Sequence, residues 1–122
     1  MFVQVKKNSQ VFVQNKDMAN KSLAPVTSTF RINLNLVAEA SFYSIKEVKQ
    51  RQLLDGKGIE LPVGTKVVHL IMSYTHSVHS VEKGTDKEHS INDRYFYKLV
   101  FMPEAEDEYL RIRNVFDRQT LS

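Results

Sequence analysis

The chain has 122 residues and a mass of 14.1 kDa, the size of one ordinary domain with no room for a second. Apolar residues make up 42% and charged residues 25%, enough for a modest core beneath a hydrated surface. The absence of Cys excludes disulfide scaffolds, Cys-based zinc modules and thiol catalysis, and a net charge of +3 with a pI near 9.2 permits a phosphate-bearing partner without demanding one.

Residues 1–15, MFVQVKKNSQVFVQN, interrupt their apolar positions with polar ones too often for a secretory h-region. No run of eighteen apolar residues occurs, so no membrane-spanning helix is expected. The expectation is a cytoplasmic single domain over 1–122, without repeat, linker or internal boundary.

Short Val- and Phe-rich stretches at Phe2–Lys6 and Val11–Gln14 flank the turn-forming Lys7-Asn8-Ser9-Gln10 and predict a hairpin. Residues 15–25 read as a polar connection closed by Pro25. From Phe30 the chain alternates, with Ile32, Leu34, Leu36 and Ala38 on one parity and Arg31, Asn33, Asn35 and Glu39 among the residues between them; Val37 is the exception. Period two predicts a strand with one buried and one wetted face.

Ser44-Ile45-Lys46-Glu47 fits the capping box, Tyr43 and Val48 are placed as a staple, and Ile45, Val48, Leu53 and Leu54 form a rough apolar stripe. This predicts a three-turn helix over Ser44–Leu54, stopped at Gly56. Ile59-Glu60-Leu61 is a brief extended piece and Pro62-Val63-Gly64-Thr65 a turn. Lys66–Met72 is apolar on both parities except at Lys66 and His69, which places a strand inside a sheet. The strand then emerges from the core through Ser73–Val81, and 82–93 reads as a loop. Arg94–Met102 is an aromatic-rich strand ended by Pro103, Glu104–Glu108 an acidic turn, and Tyr109–Phe116 a last strand before a frayed tail. The fold class is therefore mostly β (α+β): about six strands in a small antiparallel barrel or pseudobarrel with one short helix.

Four patterns bear on chemistry. His76 and His79 lie three apart and diverge on a strand, so with His69 and His89 they read as surface imidazoles rather than metal ligands. Glu104, Glu106, Asp107 and Glu108 lack the Gly of a calcium loop and read as a solvated turn. There is no GxSxG elbow, Walker loop or GxGxxG, so no enzymatic role and no cofactor are expected. The fourth pattern interleaves base and aromatic: Arg94-Tyr95-Phe96-Tyr97-Lys98 and Tyr109-Leu110-Arg111-Ile112-Arg113.

If these two segments pair as strands, Tyr109, Arg111 and Arg113 face outward beside Arg94 and Lys98, and Arg31 and Lys66 add to the same field. Aromatic faces stack on unpaired bases while Arg and Lys neutralise phosphates. The plainer reading is that Tyr95, Tyr97 and Phe101 belong to the core of a half-buried strand. A competing class is a protein-interaction module that pairs through the edge of the N-terminal hairpin. The oligomeric state is open.

The succession of strand, capped helix Ser44–Leu54, Asp55-Gly56-Lys57-Gly58, Ile59–Thr65 and central apolar strand resembles a PUA-type pseudobarrel. More narrowly, in size and element order it resembles the PrgU-like proteins of enterococcal pheromone-responsive conjugative plasmids. That resemblance implies an RNA-binding regulator acting on a transcript, which limits production of a conjugation surface protein. An OB-like barrel that binds single-stranded DNA is the alternative reading of the same strand count.

Overall fold

The computed structural model describes residues 1–15, 23–46, 51–54, 57–81 and 88–120. Nine strands are described: β1 Phe2–Val5, β2 Asn8–Asn15, β3 Ala24–Val26, β4 Phe30–Asn33, β5 Val37–Ser44, β6 Arg51–Leu54, β7 Lys57–Glu60, β8 Lys66–Val81 and β9 Glu88–Phe101. A 3₁₀ turn at Pro103–Ala105 leads into the helix α1, Glu106–Thr120. The main sheet has the order β3-β2-β9-β8-β5, and β1–β4 and β6–β7 form two-stranded ribbons, all antiparallel. The class is the one the sequence predicts, antiparallel strands with one helix. The main sheet is open, ending at β3 and β5 instead of closing into a barrel.

Both faces of this sheet are covered near one end. On one face Leu70, Leu99 and Phe101 meet Ile112 and Phe116 of α1 and Val3 and Ile32 of the β1–β4 ribbon. On the other, Phe12, Val67 and Val100 meet Leu23, Ile45 and Leu61. This double coverage explains why Lys66–Met72 is apolar on both parities.

Several predicted elements take a different form. β1 pairs with β4 and β2 with β3 and β9, so the N-terminal strands are not a hairpin. Alternation identifies a strand but carries no information about its partner. The Phe30–Ala38 strand is two strands split by a 3₁₀ turn at Leu34–Leu36, where the Asn33 side chain accepts a hydrogen bond from the Asn35 N–H at 3.0 Å. Asn competes for backbone groups in this way. Val37, the break in the alternation, packs on the core at the start of β5.

The predicted helix over Ser44–Leu54 is absent from its described residues. β5 continues to Ser44, and the Ile45 N–H donates to the Thr65 carbonyl at 2.8 Å. Arg51–Leu54 then pairs with Lys57–Glu60 in register Leu54↔Lys57. The Ser44 hydroxyl accepts from Lys66 Nζ at 2.9 Å instead of capping a helix. Strand partners satisfy the backbone groups that the capping signals would have served. Of the predicted loop, 88–93 is strand paired with 76–81, while 82–87 lie outside the described residues, as do 16–22 of the polar connection. The Pro62–Thr65 turn stands as predicted, with Gly64 at φ +94° and Thr65 Oγ1 donating to the Pro62 carbonyl at 2.7 Å.

The largest correction is the C-terminal segment. Tyr109–Phe116 is helical, within α1, which runs on to Thr120. Ala105, Tyr109, Ile112 and Phe116 are buried, at spacings of four, three and four, which is one helix face. Pro103 at the entrance, three acidic residues in the first turn and Arg118 in the last complete a helical signal. The apparent turn of carboxylates is therefore the helix start. No helix among the described residues is long and apolar enough to cross a membrane.

The two readings of this segment differ at Leu110, which is 48% exposed, and Ile112, which is fully buried. Ile112→Ala should destabilise the protein by about 2–5 kcal/mol. Leu110→Ala should change stability by less than about 0.5 kcal/mol. Urea unfolding followed by circular dichroism measures both; a paired strand would make the two losses similar, because both side chains would share one face.

Candidate nucleic-acid interface

The residues expected to form one docking surface are distributed over three places. Tyr109 is buried, and its hydroxyl accepts from Arg113 Nη1 at 2.8 Å. Arg113 also lies 5.3 Å over the Phe42 ring, and Lys66 Nζ is 6.0 Å from the centre of the Tyr109 ring. These three residues thus gather on the helix side of the sheet, beside β5. Arg111 points elsewhere: it donates to the Gln4 carbonyl at 2.7 Å and pairs with Glu108 at 2.7 Å, tying α1 to β1. Arg31 is exposed on β4, opposite Gln4. The premise that Tyr109, Arg111 and Arg113 stand on a strand beside β9 is overturned, because that segment is α1 and its apolar stripe turns the Tyr109 ring inward.

Arg94 and Lys98 keep the relation that the sequence implies. Positions 94, 96 and 98 of β9 alternate onto the sheet face opposite α1, while Tyr95 and Tyr97 turn toward the helix side, where Tyr97 stacks on Phe30. Phe96 stands between the two cations. Its ring meets His69 edge to face, centroids 5.8 Å apart at 78°.

Strand register builds the rest of this face. Ser41 lies opposite His69, His69 opposite Lys98, and Lys98 opposite Gln14, so four polar side chains form a row across β5, β8, β9 and β2. At about 4.8 Å per strand the row spans roughly 14 Å. Along β9, Arg94 and Lys98 are roughly 13 Å apart at about 3.3 Å per residue. Gln14 is buried, His69, Phe96 and Lys98 are half-buried, and Ser41 and Arg94 are exposed. Between Ile71 and Thr75 the register shifts, so that Met72, Ser73 and Tyr74 of β8 lie against Tyr95 alone. Bulges of this kind re-aim side chains beside binding sites.

Burial holds the Lys98 ammonium below its ordinary pKa. His69 is also lowered, first by burial and then by the charge of Lys98. Among the described residues no carboxylate pairs with Lys98. Its charge is thus partly stripped of water. No group of three or more His, Asp or Glu suited to a metal ion occurs among the described residues.

Sequence reasoning missed His69, Phe96, Ser41 and Gln14. Phe96 was legible, since it shares its parity with Arg94 and Lys98. The other three depend on which strands flank β9. Comparison of the chain with protein-family models, with curated proteins and with solved structures finds no match in any of the three.

A lowered His pKa favours the neutral form in the folded state, so its contribution to stability is present above the ordinary value of 6.5 and is lost as pH falls through the folded value. Thermal unfolding of the wild type should therefore decline more steeply below about pH 6.5 than that of His69→Gln. Parallel profiles for the two proteins would remove His69 as the source.

Proposed function

We propose that this domain binds single-stranded RNA on the face carrying Arg94, Phe96 and Lys98, and that it acts on a transcript by occupying it. The carrying observation is the placement of Arg94, Phe96 and Lys98 on one side of a central strand, with His69 against the ring. A base stacked on Phe96 would contribute about 1–3 kcal/mol. Its flanking phosphates would meet Arg94 and the partly desolvated Lys98, where screening by water is weaker. The Ser41 hydroxyl and Gln14 amide extend the same row and supply partners for base edges or a ribose 2′-hydroxyl, the group that distinguishes RNA from DNA. This support is independent of the PUA-like resemblance, whose capped helix at Ser44–Leu54 is replaced by strand in its described part.

Fluorescence anisotropy with matched RNA and DNA oligonucleotides across a salt series tests the reading. Arg94→Ala with Lys98→Ala should flatten the slope of log affinity against log salt by about 1.4, at about 0.7 per phosphate contact on a single strand. Phe96→Ala should cost about 1–3 kcal/mol of affinity. Arg111→Ala should leave the slope unchanged while lowering stability by about 1 kcal/mol, through loss of its bond to β1. Absence of binding to either oligonucleotide at low ionic strength would refute the proposal, and equal loss from Arg111→Ala would move the site.

A further inference from the structure

The two edges of the main sheet are built differently. β3 is three residues long with Pro25 at its centre, and a proline on an edge strand cannot donate to an incoming chain. β5 is eight residues long, contains neither Lys nor Pro, and carries one charge, Glu39. Ala38, Glu39, Ala40 and Ser41 are all exposed, and Tyr43 is 42% exposed. Edge strands of this length are ordinarily protected by charge, proline or a covering element. β5 has its single register shift near its start, between Val37 and Glu39, and pairs regularly with β8 from there to Ser44.

We infer that β5 is a self-pairing edge, and that two copies of this chain join there as an antiparallel twofold dimer centred on Ser41. A twofold axis perpendicular to the sheet preserves its faces, so it pairs only residues of equal parity. Centring on Ser41 sets Glu39 opposite Tyr43 of the second copy, and the reverse, giving two carboxylate–hydroxyl contacts. Ala40 then lies opposite Phe42 of the second copy, and no like charges oppose each other. A centre at Phe42 would instead set Glu39 against Ile45, which is buried in its own chain. The Ser41 centre also joins the two rows that run through Ser41, His69, Lys98 and Gln14 into one, with the two Lys98 residues roughly 24 Å apart at about 4.8 Å per strand.

The test is sedimentation of the full chain in buffer free of nucleic acid, so its outcome is separate from that of the RNA proposal. The wild type should sediment as a dimer at about 100 μM. Ser41→Lys and Ser41→Glu each place like charges against each other at the axis and should weaken the dimer on the order of tenfold or more. An equimolar mixture of the two should restore it, because Lys then meets Glu. Thermal unfolding of each variant confirms that the monomer is folded; Ser41 is exposed, so both should fold. A wild-type monomer at that concentration, a Ser41→Lys dimer as tight as the wild type, or a mixture of folded variants that fails to recover would each overturn the proposal.

Discussion

The register between β8 and β9 governs the rest of the molecule. It runs from Lys66↔Phe101 to Val81↔Glu88 and sets the centre of the five-stranded sheet. A slip of β9 by one residue would turn Leu99 and Phe101 out from under α1 and drive Lys98 and Phe96 into the place they leave. Burying an unpaired ammonium there would cost far more than any alternative contact returns. The apolar demand of the helix side and the polar character of the opposite face therefore select the same pairing.

The sheet then separates two tasks. Its helix side is closed by Ile112, Phe116 and the β1–β4 ribbon, and the charged groups there serve the fold: Arg111 joins α1 to β1, and Arg113 bonds the Tyr109 hydroxyl. The opposite face is sealed only where Leu23, Ile45 and Leu61 cover Phe12, Val67 and Val100. One residue pair further along, the cross-strand row turns polar, at Gln14, Lys98, His69 and Ser41. Burial in that row falls from Gln14 through half-buried Lys98 and His69, whose pKa values it lowers, to exposed Ser41. Strands position this face, with the aromatic contacts of Phe30, Tyr95 and Tyr97 packed beneath β9.

The outer strands show how the same physics treats edges. Pro25 blunts β3 without cost because an edge residue has no ladder bond to lose on its outer side. The outer edge of β5 has no proline, its charge and its register shift lie at Glu39 and before it, and small side chains at Ala38, Ala40 and Ser41 leave its backbone approachable. Edge chemistry, more than strand count, thus decides whether an open sheet remains single.

The sequence by itself determined the strand-rich class, the apolar centre of β8, the Gly64 turn and the end of β9 at Pro103, because each follows from local parity or from a backbone preference. It also contained α1, in the spacing of Ala105, Tyr109, Ile112 and Phe116; a short alternation through Leu110, Ile112 and Asn114 obscured it, since seven or eight residues fit both periods. The Ser44 capping box misled for a related reason: its local signal is worth about 1 kcal/mol and is overridden where Lys66 and Thr65 take Ser44 and Ile45 as partners and β7 pairs with β6. Arg94 and Lys98 were legible as outward bases on one strand, with Phe96 between them. The residues of the same face around them, Gln14, His69 and Ser41, come from β2, β8 and β5, and only the tertiary structure decided that placement, because strand order and register arise from packing between segments distant in the chain.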